Sequence, residues 1–324
     1  MQAAIGIGHR HSCLVQGNHK INCWGDNGSG EIGEDRVAGA DAFQSEDFIA
    51  VSAGGKLSCG LKTDHTAQCW GHKAAYSGLA KDKKFLTVAA GDDHVCAIGL
   101  DNKMSCRGAG ALDVEDPQGS FITVSAGARR NCGVKTNNTL ACWGDTVADT
   151  PSGLFLAVDT GNGFNCGIKI NNTIACWGTD KNDGLKDIPS SNNRSIQSAS
   201  GSGHSCGIKT DNTLHCWGAS TGTVVPSALE QTRLMTVGAG HLYSCGISIN
   251  RDLECWGELG DVDDHDRLEA VEGLKALAAP TTLYLLEKSE NFPQTVRLEP
   301  YTIEIKTLVI SLNDSPKHLS LIHI

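Results

Sequence analysis

Fourteen cysteines give this chain its first chemical possibilities. They fall into seven pairs, each ten positions apart: Cys13/Cys23, Cys59/Cys69, Cys96/Cys106, Cys132/Cys142, Cys166/Cys176, Cys206/Cys216 and Cys245/Cys255. Such thiols can pair as disulfides, ligate zinc, or stay reduced in a core. Zinc sites use tight clusters such as Cys-x-x-Cys, four ligands to a site. Here each unit holds one isolated pair with no matching His pair, which favours disulfides over reduced thiols, and metal least. One bridge over about ten residues is worth roughly 2–3 kcal/mol in the chain-entropy view.

A second set of reactive side chains lies just before each first Cys. The short segments there are His9-Arg10-His11, Gly55-Lys56-Leu57, Asp92-Asp93-His94, Ala128-Arg129-Arg130, Asn162-Gly163-Phe164, Ser202-Gly203-His204 and His241-Leu242-Tyr243. Varied Arg, His, Tyr and Phe at equivalent loops of a repeat make a candidate recognition face. The candidates are Arg10, His11, Lys56, Asp93, His94, Arg129, Arg130, Phe164, His204, His241 and Tyr243. The competing reading makes His11, His94 and His204 recurrent packing residues. No nucleophile, base and acid stand together, because the His-Ser pairs His11-Ser12 and His204-Ser205 are repeat consensus. Adjacent strand residues point to opposite faces. The expectation is therefore a non-enzyme without a cofactor.

Three further motifs have plainer readings. The glycines Gly28, Gly30 and Gly33 fit G-x-G-x-x-G, but Glu31, Glu34 and Asp35 crowd the place of a pyrophosphate. The run Asp261-Val262-Asp263-Asp264-His265-Asp266 lacks the Gly and terminal Glu of a calcium loop and reads as an acidic linker. Sequons begin at Asn27, Asn137, Asn171, Asn193 and Asn313, of which Asn137 and Asn171 fall on expected turns.

The elements that position these groups follow from the punctuation of each unit. Five residues before the first Cys stands Gly8, Gly54, Gly91, Gly127, Gly161, Gly201 or Gly240. Five after it stands Asn18, Asp64, Asp101, Asn137, Asn171, Asp211 or Asn250, read as the left-handed residue of a turn. A Gly closes the unit twelve after that Cys, following Trp in every unit but the third, where Arg107 stands. Aliphatic residues two past the Cys, such as Val15 and Ile208, and mostly aliphatic ones eight past it complete a hairpin with a three- or five-residue loop. In that register the two cysteines face each other.

First cysteines recur at intervals of 46, 37, 36, 34, 40 and 39 residues over a chain of 324. That period suits propeller blades or a solenoid. A net charge of −10 argues against a nucleic-acid surface, and no stretch of about 18 apolar residues offers a membrane span. Regular cysteine pairs point to an oxidising compartment. The N-terminus shows no signal peptide and begins inside a repeat, so an upstream segment is expected to be missing. Residues 273–280 read as one more leading strand, and residues 281–318 as the start of a different β-rich segment. The final LSLIHI, 319–324, resembles the translation of a sequencing adapter.

The shared frame, AG-x-x-x-S-C-G-[IL]-K-x-[DN]-x-x-x-x-CWG with WGDNGSGEIG after the first unit, resembles the regulator-of-chromosome-condensation repeat family. It is most similar to the cysteine-paired extracellular branch. The resemblance spans seven units and implies an all-β, seven-bladed propeller over residues 1–280, an architecture that also hides sheet edges. For function it implies a secreted, periplasmic or cell-surface scaffold binding a protein, peptide or glycan. The family's nuclear founder exchanges guanine nucleotide on a small GTPase and binds chromatin, and an intracellular exchange factor is the alternative reading.

Overall fold

The computed structural model describes residues 5–16, 19–33, 47–72, 79, 82–108, 117–144, 150–178, 195–218, 225–227, 229–258, 285–286 and 295–296. The chain divides into two compact units, 2–279 and 280–324, with Met1 assigned to the second. In the second, Leu285–Leu286 pairs antiparallel with Thr295–Val296. The linker 261–266, the leading strand expected at 273–280 and residues 319–324 lie outside the described residues.

Among the described residues the first unit holds seven three-stranded antiparallel sheets, each with its strands in chain order. In the fourth, Phe121–Ala126, Arg130–Lys135 and Leu140–Gly144 follow one another as inner, middle and outer strand. The inner strands are Ile5–Ile7, Phe48–Ala53, Phe85–Ala90, Phe121–Ala126, Phe155–Thr160, Ser195–Ser200 and Leu234–Ala239. Each lies beside the next around an axis, and the seventh lies beside the first. The ring therefore closes by blade-on-blade packing. Inner strands run towards what we term the loop face, where the recurrent Gly stands; the hairpin turns gather at the opposite turn face.

The expected hairpin register is present throughout, with the two cysteines of each unit directly opposed. All seven expected disulfides form within blades: Cys13–Cys23, Cys59–Cys69, Cys96–Cys106, Cys132–Cys142, Cys166–Cys176, Cys206–Cys216 and Cys245–Cys255. Their Cα atoms stand 4.0–4.1 Å apart, and no cysteine is free. The two ends of a bridge differ in depth. The first cysteine, on the middle strand, is fully buried in every blade. On the outer strand Cys23, Cys69, Cys142, Cys176, Cys216 and Cys255 are half-buried, and Cys106 alone is buried too. The Gly that closes each unit takes φ of 96–129° in all seven, which reserves the position for Gly.

The turn differs from its expected form. Asp64, Asn137, Asn171 and Asp211 are not the left-handed residues. Their side chains accept the backbone N–H two residues on, at 2.9–3.2 Å, and the following Thr hydroxyl, at 2.6–2.7 Å. The left-handed residue is the next one, His19, His65, Asn102, Asn138, Asn172, Asn212 or Arg251, with φ of 61–72°. In the first six blades its carbonyl then accepts the first N–H of the next inner strand, as in Phe48 to His19 at 2.8 Å and Phe155 to Asn138 at 2.7 Å. Those hairpin turns are thereby stitched to the following blade.

Between these edges the core is a series of seams. The Trp of one blade packs on the disulfide of the blade before: Trp70 on Cys13, Trp143 on Cys96 and Cys106, Trp177 on Cys132, Trp217 on Cys166 and Trp256 on Cys206. Trp24 closes the circle against Cys245. The second disulfide meets no Trp. Leu57, Leu61, Phe85 and Val95 surround it, with Leu79 packed alongside. Arg107, in the Trp position, is half-buried and its Nη1 donates to the carbonyl of Cys106.

Candidate functional site

At the loop face the seven recurrent glycines form a ring of their own. A Cβ on Gly8 would meet the carbonyl of Gly54 at 2.4 Å, and one on Gly54 the carbonyl of Gly91 at 1.9 Å. The series continues through Gly127, Gly161, Gly201 and Gly240 and returns to Gly8. The same carbonyls accept N–H groups from the preceding blade: His9 N to Gly54 O at 2.9 Å, Gly55 N to Gly91 O at 3.1 Å, Asn162 N to Gly201 O at 3.2 Å. The ring encloses an axial cavity of about 80 Å³. That is far below the roughly 300 Å³ that small-molecule sites start from. Recognition on this face must use the loops and not the pore.

The candidate residues separate by depth. His11, His94, Arg130, Phe164, His204 and Tyr243 occupy one structural position, two before the first Cys, and all are buried. Five of them bond across to the next blade. His11 Nε2 lies 2.7 Å from Ser58 Oγ, His94 Nε2 2.7 Å from Asn131 Oδ1, and His204 Nε2 2.8 Å from Ser244 Oγ. Arg130 Nη1 donates to the carbonyl of Gly163 at 2.9 Å. The Tyr243 hydroxyl meets Ser12 Oγ at 2.9 Å and donates to the carbonyl of His11 at 2.8 Å, tying blade seven to blade one. Phe164 packs instead, in one apolar cluster with Trp217 of the next blade. These six are seam residues, as the packing reading had it for the three histidines. Burial lowers His11 and His204 to about 4 and also lowers His94, so the imidazoles are neutral.

The remaining candidates reach the surface. Arg10, Lys56 and Arg129 are exposed at equivalent positions of blades one, two and four. Asp93 lies between blades, its Oδ1 3.4 Å from His72 Nδ1 and 3.6 Å from Lys56 Nζ. His241 Nδ1 sits 3.0 Å from His9 Nε2 across the seam of blades seven and one. Burial, then the neighbouring His9 and Arg10, lower the pKa of His241. The loop face thus carries cations over blades one, two and four, and a carboxylate pair at Asp92 and Asp93. Among the described residues the equivalent loops of blades five and six, Asn162-Gly163 and Ser202-Gly203, are uncharged.

Sequence reading missed His9, Asp92, Asn162 and Ser202, which line the axial mouth. It also missed the residue before the first Cys as the partner in most seams: Ser58, Asn131, Ser244 and Ser12 by hydrogen bond, and Val95 by packing. The signal was present as complementarity: His stands where the next blade offers Ser or Asn, and Leu57 where it offers Val95. The Gly28–Gly33 motif makes no cradle. Glu31 is buried, its carbonyl accepting Trp70 Nε1 at 2.7 Å and Ser58 Oγ at 3.1 Å, so the segment fastens blade one to blade two. Of the sequons, Asn27 is engaged at both ends, donating to Gly33 O at 2.9 Å and accepting from Ile32 N at 3.0 Å. Asn137 and Asn171 are exposed, and Asn193 lies outside the described residues.

Residues 196–221 match the family model described as the regulator of chromosome condensation (RCC1) repeat. The other six units share the frame of that segment. Among solved structures, the crinkly WD40 ectodomain of the Arabidopsis thaliana receptor kinase ACR4 is similar, with a TM-score of 0.65 and 24% identity over 79% of this chain and 95% of that one. The entire ectodomain of the Physcomitrella patens receptor kinase CR4 gives 0.66 and 20% identity, covering 79% and 73%. Prp20p of Saccharomyces cerevisiae, whose structure was described with its binding to Gsp1p and histones, gives 0.61 and 14% identity, covering 83% and 85%. At these identities the likeness is one of fold. Among curated proteins none matches.

Proposed function

We propose that the chain, a propeller with one segment matching the regulator-of-chromosome-condensation repeat, is a non-catalytic binding scaffold, exported from the cell, which takes a protein, peptide or glycan on its loop face. One observation carries the reading: a ring locked by backbone contacts presents exposed, chemically different loops around a pore too small for a ligand. Rigid support under variable loops lowers the ordering cost of binding. Arg10, Lys56, Asp93, Arg129 and His241 are the groups proposed to touch the ligand. His11, His94, Arg130, Phe164, His204 and Tyr243 hold the loops in place. Export is supported by seven disulfides and by the fold shared with two receptor-kinase ectodomains.

The test counts free thiols in denatured, unreduced protein from its native source and then maps linked peptides. Near zero, with each pair linked inside its own unit, is the expected result. Near fourteen would overturn export and favour the intracellular alternative, for which Prp20p supplies the comparison. Guanine-nucleotide release from a panel of small GTPases would then decide it.

A further inference from the structure

The turn face has a chemistry of its own, independent of the loop-face reading. Among the described residues six large apolar side chains are exposed: Leu100, Ile122, Leu154, Leu156, Ile170 and Ile249, at 38–53%. All six stand at the turn end of their blades, and all but Ile249 fall on blades three to five. The backbone makes these five neighbours. Leu100 and Asn102 share a turn, and the carbonyl of Asn102 accepts the N–H of Phe121, next to Ile122, at 2.8 Å. Asn138 O accepts Phe155 N at 2.7 Å, between Leu154 and Leu156, and Ile170 N donates to Leu154 O at 3.1 Å. Scattered exposed aliphatics are ordinary; five in one sector are not.

Lysines frame the same sector. Lys83, Lys135 and Lys169 lie over the Phe85, Phe121 and Phe155 rings at 5.8–6.0 Å. Lys84 and Lys103 direct their ammonium groups to the carbonyls of Asp64, at 2.7 Å, and Gly119, at 3.3 Å. None of the five makes an ion pair among the described residues. Among the described residues of these turns and strand entries the carboxylates are Asp82 and Asp101, with Asp64 of the adjoining turn beside Lys84, in a chain whose net charge is −10.

We propose that the turn face of blades three to five is a second interaction surface, which docks an acidic polypeptide segment carrying aliphatic or aromatic anchors. The apolar side chains take the anchors and the lysines pair with the carboxylates around them, an apolar centre with a charged rim. A second copy is disfavoured as the occupant, since a self-complementary contact would oppose lysine to lysine.

The test uses the whole disulfide-bonded protein and a synthetic peptide of about 20 residues with Leu on one helical face and Glu elsewhere. A Lys-for-Glu peptide and phosphatidylserine vesicles serve as the other arms. The expected result is saturable, salt-sensitive binding of the acidic peptide, weakened about tenfold or more by Leu154→Ser with Ile170→Ser and by Lys135→Glu with Lys169→Glu. Arg129→Glu, on the loop face, should leave it unchanged. No binding, equal binding of both peptides, or binding of vesicles alone overturns the proposal. So do glycans on Asn137 and Asn171 in protein from its native source, because both residues are exposed on the hairpin turns of blades four and five. Intact disulfide mass and unchanged circular dichroism keep misfolded variants out of the comparison.

Discussion

Replacing Gly54 by Ala should be among the most damaging single-methyl changes this chain can suffer. Gly54 does not take a positive φ, so backbone conformation alone would let Ala stabilise by about 0.4–1 kcal/mol through the unfolded state. The neighbour reverses the sign. The new Cβ would lie 1.9 Å from the carbonyl oxygen of Gly91 and 2.8 Å from its carbon, both backbone atoms of the next blade. Relief requires blades two and three to part by more than about 1 Å, which is beyond what close-packed interiors absorb without strain. That movement weakens the bonds from Gly55 N to Gly91 O, at 3.1 Å, from Lys56 N to Asp92 O, at 3.2 Å, and from Ala90 N to Ser52 Oγ, at 2.9 Å. Overpacking costs about 1–3 kcal/mol and each of the three lost bonds about 1 kcal/mol, a total of about 4–6 kcal/mol. At roughly 2–4 °C per kcal/mol for a domain of this size, Tm should fall by about 8–24 °C. Gly28→Ala is the internal control, since its Cβ would meet nothing nearer than Asp26 Oδ1 at 3.5 Å. Urea unfolding of both variants with disulfides intact is the assay. A Gly54→Ala protein within about 0.5 kcal/mol of the wild type, the scatter of ordinary surface changes, would refute the closed glycine ring.

Two further perturbations probe the seams. Acidification should destabilise the propeller as pH falls from 6.5 towards 4: His11 and His204 fold with pKa lowered to about 4, so each contributes stability above 6.5 that is lost on protonation, about 3 kcal/mol apiece. Asp159, raised by burial to about 6, works in the opposite direction and regains part of that loss below pH 6. Urea unfolding at pH 7.5, 6 and 5 should show a net fall, flattened in a His11→Gln/His204→Gln variant; a rise on acidification would sink the neutral-imidazole account. Tyr243→Phe should cost about 1–3 kcal/mol by leaving Ser12 and the His11 carbonyl short of a partner. A double-mutant cycle with Ser12→Ala should give a coupling of about 0.5 kcal/mol or more, and none would mean the seam of blades seven and one is held otherwise.

Much of this architecture is written in local spacing. Opposed cysteines fix the hairpin register, because a slip of one residue would turn every side chain to the wrong face. The turn was harder, since Asn and Asp suit both a side-chain acceptor and a left-handed backbone. His19, His65 and Arg251 at the left-handed position hid which role belonged to which residue. His11 and His94 carry two readings in the sequence, recognition or packing, and Arg130 only the first, for a related reason. Their partners, Ser58, Asn131 and the carbonyl of Gly163, come from the next repeat, some 33 to 47 residues away in sequence. Periodicity exposes what repeats have in common; these contacts depend on where neighbours differ.

That dependence makes the seams locks of several kinds, with His11–Ser58 and His204–Ser244 sharing one kind. His11 meets Ser58, Leu57 stands against Val95 within one apolar cluster, and His94 meets Asn131. A blade moved to another position would carry the common staple and turn, yet bring Leu to face Ser, or His to face Val. Two units of one chain are therefore interchangeable only where key and socket both match, and a freshly copied repeat fits the circle only beside a neighbour whose socket it already matches. Cutting the chain in a loop and rejoining its ends leaves every key in its lock. Shuffling the order of blades does not.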